Sequence, residues 1–291
     1  MKNILTSTGF PFIILLLVGC EAKKQEESSS NDINYLNWTA IAEKLLDRSQ
    51  LTAGEQVLTV GQSGKFDPLI PLLKSGIEKA GAVYLGTVSI DSLQPQSWQT
   101  DFTNSLKDME GEELPLFLSS VDLGIMLPGA TPANKVYWGL QEVLKQGKGR
   151  TIHFHWAGAY DLNGNLLDAD SAVDVFYENV LLQTDYPGLA AKQLEFESAM
   201  RDNWIQVTTP SGTDIKFKIG DRQVTKQDGN AALAHMANAR TLIDREVELP
   251  AGAIRVAPME ETVDGTIAFP DAIWNGQMAE GVVLTIKAGK V

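Results

Sequence analysis

The 291-residue chain holds a single cysteine, three histidines and fewer basic than acidic side chains, 24 Lys and Arg against 37 Asp and Glu. One cysteine excludes an intramolecular disulfide whatever the redox compartment. The net charge of −13 surrounds the chain with a field that repels phosphate backbones, so nucleic acid is excluded as a partner. Long apolar runs are also missing. The one candidate, FPFIILLLV at residues 10–18, is about half of the ~20 residues that a spanning helix needs. Nor does the sequence contain a G-x-S-x-G elbow, an H-E-x-x-H pair or a phosphate-binding P-loop, so no generic catalytic motif assigns a reaction.

The short apolar run is informative in its setting. It follows Lys2 and ends at LVGC, residues 17–20, which is the layout of an export signal. LVGC resembles the lipobox of bacterial lipoproteins. That resemblance implies cleavage after Gly19, a lipid on Cys20, attachment to the membrane through that lipid, and an extracytoplasmic place in the cell envelope. Residues 21–32 carry no large apolar side chain and cannot bury enough surface to fold, so 20–33 reads as a flexible tether.

From residue 34 the pattern alternates. Leu36, Ile41, Leu45 and Leu46 share one helical face. Strands are expected at 56–60, 83–90, 121–127 and 151–156, with helices at 67–80, 98–109, 133–145, 172–182 and 189–201. Strands separated by helices of this length predict an α/β fold with a mostly parallel sheet and flanking helices over 34–202. Past Asp202 the strands become short and closely spaced. The runs 204–208 and 214–219 flank a Pro-Ser-Gly turn and predict an antiparallel hairpin, so 203–291 is expected to form a β-rich second domain.

Three groups of residues are candidates for chemistry. His153 and His155 stand two apart on a predicted strand, so both imidazoles face one side while Ile152, Phe154 and Trp156 face the other. Two neutral imidazoles can share a divalent metal. The same spacing also suits ordinary hydrogen bonding at a strand end, the commoner use of such residues. The segment from Asp161 to Asp170 has oxygen ligands at spacings loosely like a calcium loop but lacks the glycine and the final glutamate of an EF-hand; an Asn-Gly turn leading to a helix cap explains it as well. His235, in ALAHMA, reads as structural.

An ordered series remains: VTTPSGTDIKF (207–217), GDR (220–222), DG (228–229), LPAGAIRVAPME (249–260) and VDG (263–265). It resembles the thermophilic-aminopeptidase family of metallopeptidases, of the aminopeptidase T and S type, with agreement in layout also at Leu45-Leu46, GEQV (54–57) and PLIPLL (68–73). The resemblance implies a metal-dependent aminopeptidase using zinc or cobalt, acting on peptides and paired as a homodimer. It also implies a metal-ligating glutamate where this chain has Ala253, and a later glutamate matched by Glu260. The family's other ligands lie beyond the matched region, past Val291. Two-metal hydrolysis needs both ions in a full ligand set, so the expectation is a lipoprotein of aminopeptidase descent without a competent two-metal site, with an active aminopeptidase as the alternative. Glu260, lacking carboxylate partners, is then expected to serve its own turn, and His153 and His155 remain the other candidate metal ligands. The iron-dependent ring-cleaving relatives of the family rank behind both readings.

Overall fold

In the computed structural model the described residues are 36–91, 93–156 and 171–291. The signal, Cys20, the tether and the calcium-like segment 161–170 lie outside them. Asn37 opens the first helix, α1 (Trp38–Ser49), by accepting from the Ala40 N–H at 3.0 Å. This is the cap that a short polar side chain supplies to an orphan helix donor. The chain continues through β1 (Gln56–Gly61), α2 (Leu69–Lys79) and β2 (Val83–Ser89). Gly76 lets α1 and α2 touch, because a Cβ there would stand 2.1 Å from the Leu46 Cδ1.

Next come α3 (Asp101–Ser105), α4 (Glu113–Leu118), β3 (Leu123–Met126), α5 (Lys135–Lys145) and β4 (Arg150–Phe154). The helix expected over 98–109 is thus shorter, and a second helix follows it. The stretch has no apolar period to sustain one long helix, and Gly111 takes a left-handed conformation with φ 55° that separates the two pieces. Beyond the undescribed segment lie α6 (Ser171–Gln183) and α7 (Tyr186–Asp202).

The hairpin expected after Asp202 is present as β5 (Ile205–Thr208) and β6 (Asp214–Phe217). The chain then makes β7 (Thr225–Lys226), α8 (Leu233–Met236), α9 (Leu242–Arg245), β8 (Glu246–Leu249) and β9 (Ile254–Arg255). It ends in β10 (Asp264–Ala268), β11 (Ala272–Trp274), β12 (Gln277–Ala279) and β13 (Val283–Ile286). The expected fold class holds: a five-stranded parallel sheet in the order β2-β1-β3-β4-β8 lies between helices, and antiparallel sheets follow, the largest ordered β13-β10-β6-β5. Contacts gather Asn34–Val291 into one unit, and β8, from the C-terminal segment, forms the edge of the parallel sheet.

Successive residues of a strand point to opposite faces, and the sheet uses both. Val57, Leu123, Ile125, Ile152, Phe154 and Leu249 bury against α1 and α2 through Ile41, Leu45, Leu73 and Ile77. Leu58, Val60, Leu85 and Met126 bury against α4 and α5 through Leu114, Leu118, Tyr137 and Leu140. Arg150 is buried at the amino end of β4, where Glu55 pairs with it at 2.6 Å and the carbonyl of Ala231 accepts from it. Among the described residues no helix is long and apolar enough to cross a membrane.

Candidate functional site

The two histidines sit where β4 runs out of the sheet, and their neighbours come from two other elements. The parallel register sets His153 beside Glu248 and Thr151 beside Glu246, so the two glutamates of β8 and the imidazoles share a face. The helix α5 covers that face. Tyr137 Oη lies 2.9 Å from His153 Nδ1, and Gln141 donates to Glu246 Oε1 at 2.9 Å. The His153 and His155 rings overlap with centroids 3.9 Å apart and planes tilted by 35°. His155 Nε2 is 3.7 Å from Glu248 Oε1, and Arg255 donates to the same carboxylate.

The row is electrically graded. Burial, with the adjacent His155, lowers the His153 pKa to about 4, so that ring is neutral at ordinary pH. His155 and Arg255 together hold the Glu248 carboxyl down at about 2. At 3.7 Å the His155 contact is too long for a hydrogen bond; it acts as a charge attraction whenever the imidazole is protonated, while the shorter Arg255 contact acts always. Burial pushes Glu246 up despite the bond from Gln141, and it also pushes the Tyr137 hydroxyl up, helped by the nearby Glu246. The face therefore runs from a partly buried, neutral imidazole and a buried phenol to an exposed imidazole beside a firmly ionised carboxylate. It can hold or pass a proton and can orient a polar group at its outer end.

Glu260 is elsewhere. Its side chain is two-thirds exposed and pairs with Arg222, so the structure joins His153 to His155 but not to Glu260. Ala253 lies between β8 and β9, where its carbonyl accepts from the Gln227 N–H at 2.8 Å and from Gln193 Nε2 at 3.2 Å. His235 is exposed on α8, at the mouth of a polar cleft it shares with Arg240 and Asp244.

Sequence reasoning missed Tyr137, Glu246 and Glu248. The period-two spacing of the glutamates in EVEL (246–249) was the available signal for the latter two. A second group also escaped it: the buried Asp174 of α6 accepts from Trp156 Nε1 at 2.7 Å and pairs with Lys65, which follows β1.

Among solved structures the chain is similar to wild-type AmpT from Thermus thermophilus, a thermophilic aminopeptidase, with a TM-score of 0.52 and 14% identity over 86% of this chain and 69% of that one. The fold is distantly aminopeptidase-like. No protein-family model matches the chain, and no curated protein matches it.

An aminopeptidase-like fold raises the question of a divalent cation, and the donor atoms answer it poorly. The Nδ1 of His153 is engaged by Tyr137. Glu248 is held by Arg255 and Glu260 by Arg222. A cation would have to displace these partners, and among the described residues no three His, Cys, Asp or Glu side chains are arranged to hold one. The described residues do not fit a two-metal centre.

Proposed function

We propose that the protein is a lipid-anchored, extracytoplasmic binding protein of aminopeptidase-like fold, which holds a peptide or peptide-derived ligand without cleaving it through a two-metal centre. The observation that carries this reading is the state of the two positions that the family resemblance assigns to glutamates. At one stands Ala253, whose methyl group offers no electron pair and whose carbonyl is tied to Gln193 and Gln227. At the other stands Glu260, exposed and matched with Arg222. Loss of a direct ligand costs a metal site more than loss of an outer partner, which alone weakens binding about 10–100-fold.

The anchoring half of the proposal rests on LVGC (17–20), Lys2 and the short apolar run between them. It places the globular part outside the cytoplasmic membrane, held by a lipid on Cys20 and spaced from the surface by residues 21–33. An acidic body on a flexible tether also stays clear of anionic headgroups.

The test has two parts. The purified protein is loaded with cobalt or zinc, dialysed, and its ions per chain counted by elemental analysis, while leucine anilide cleavage is assayed beside an Ala253→Glu variant. The proposal expects fewer than two tightly held ions and no chelator-sensitive turnover. Two ions per chain with such turnover in the wild type would restore the active aminopeptidase. In cells fed labelled fatty acid, label is expected in the wild type and absent from Cys20→Ser; equal label in both would refute the anchor.

A further inference from the structure

In the order β2-β1-β3-β4-β8 the chain leaves β1 toward one edge and returns through β3 on its other side. Loops beyond the carboxyl ends of such strands diverge, and α/β sheets take their ligands there. Beside that point lies a cleft of about 290 Å³ between the ends of β1 and β2, the turn after α3 and the start of α5. Its size is at the lower end of the ~300–1,000 Å³ typical of ligand pockets, which suits a small guest.

The walls of the cleft differ in charge and its floor is apolar. Val60, Leu106 and Val136, all buried, form the floor with Val88. On one wall the loop after β2 is braced from within: Gln94 accepts from the Ser89 N–H at 2.7 Å, and the Asp91 N–H donates to Ser89 Oγ at 3.1 Å. The Asp91 carboxylate receives one long contact, 3.3 Å from Gln62 Nε2, and its second oxygen has no partner among the described residues. On the other wall Lys135 Nζ donates to the carbonyls of Leu106 and Lys107 at 3.5 and 3.2 Å. That fixes the turn and leaves the Lys107 ammonium without a partner among the described residues. Neither lysine is ion-paired with Asp91, although all three line the cleft. No side chain caps the first turn of α5 on the lysine side, which adds to the positive character of that wall.

We propose that this cleft binds a small zwitterion with an apolar side chain, a free apolar amino acid or a dipeptide, with its ammonium at Asp91, its carboxylate at Lys107 and its side chain on the Val60, Val88, Leu106 and Val136 floor. An inorganic anion would use the lysine wall and leave the rest idle. A simple amine would use only Asp91. A zwitterion answers both uncompensated charges at once, and the buried floor rewards an aliphatic group with about 25 cal/mol for each Å² it hides from water. The inference rests on the binding reading above only in giving it a ligand class. Metal-dependent anilide cleavage would overturn that reading and leave this cleft standing, whereas the titrations below overturn the cleft without touching the metal question.

The experiment is a titration of the purified, methyl-labelled protein with L-leucine, leucyl-glycine, N-acetyl-leucine and leucinamide, followed by NMR. Leucine or leucyl-glycine is expected to shift the methyl signals of Val60, Val88 and Val136 in a saturable way, and whichever binds decides between amino acid and dipeptide. Blocking either charge should weaken binding about tenfold or more. Asp91→Asn should erase the preference for leucine over N-acetyl-leucine, and Lys107→Met the preference over leucinamide; both side chains are exposed, so the fold should survive. No saturable shift with either zwitterion up to about 10 mM, a range that would still reveal binding weaker than −4 kcal/mol, overturns the proposal. So does equal binding of the blocked compounds, or binding indifferent to both substitutions.

Discussion

The parallel sheet and the antiparallel sheet that follows it solve the same burial problem to different depths. Strands β1, β3 and β4 hide nearly every residue, because helices cover both faces. In the antiparallel sheet β5, β10 and β13 have no fully buried residue, and its own core is small: Met200, Ile219 and Val224. Ion pairs divide in the same way. Arg150 and Glu55 meet with their side chains 0% and 7% exposed, whereas Arg222 and Glu260 meet at 43% and 68%. The difference teaches where substitutions will register: the first sheet holds the stability, and the second is a surface on which charges pair with little consequence.

The largest effect is therefore expected from Arg150→Met. It leaves the Glu55 carboxylate and the Ala231 and Ser49 carbonyls buried without their donor, and breaking a buried pair from one side typically costs about 3–5 kcal/mol. Urea unfolding followed by circular dichroism measures it, and a loss under about 1 kcal/mol would contradict the assigned burial. Phe154→Ala should follow with about 3–5 kcal/mol, since the ring is fully buried and packs edge-on against Phe66 and Trp156. Ile267→Ala, in the middle of β10 but only half-buried, should cost under about 2 kcal/mol in the same assay. Equal losses for Phe154 and Ile267 would erase the contrast between the sheets.

An intermediate effect is expected from acid. The folded pKa of His153, about 4, lies below its ordinary 6.5, so the unfolded chain takes up that proton first and stability declines as pH falls from 6.5 toward 4. Glu248, at about 2 against 4.5, extends the decline from 4.5 toward 2. Glu246 is shifted the other way; its burial favours the folded state below 4.5 and weighs against it as pH rises above that. The net expectation is a urea midpoint that falls on acidification below pH 6.5, with a shallower slope in His153→Gln, and a His153 ring whose NMR signals titrate near 4. Titration of that ring near 6.5 would show that its surroundings do not hold the imidazole neutral. The smallest effect belongs to Arg222→Ala, under about 1 kcal/mol and shrinking with salt.

How much of this was legible in the sequence follows the same division. QVLTV announces a strand by its β-branched residues and GIML by its apolar run, and the Pro-Ser-Gly turn announced the β5–β6 hairpin. The shared face of His153 and His155 also followed from spacing alone. The strand β8 did not announce itself. Its EVEL alternates two glutamates with Val247 and Leu249, because it closes the sheet at an edge where one face is apolar and the other meets Tyr137 and Gln141. Tyr137 could not be read either. It reaches His153 from a helix, and nothing local in the sequence says that the helix face and the strand end will meet.

The placement of β8 also bears on how the chain is made. A protein synthesised from its amino end has β1 to β4 and their helices long before residues 246–249 exist, and until then β4 presents a row of unsatisfied backbone groups to any strand nearby. Arg150 waits at the same edge for the Ala231 carbonyl. The nascent chain thus carries an open template beside a guanidinium that Glu55 already neutralises but whose Nε still lacks the Ala231 carbonyl, and the later chain removes both deficits. A fragment ending at residue 202 should for that reason be a poor independent folder and prone to associate through β4, however complete its alternation of strands and helices looks.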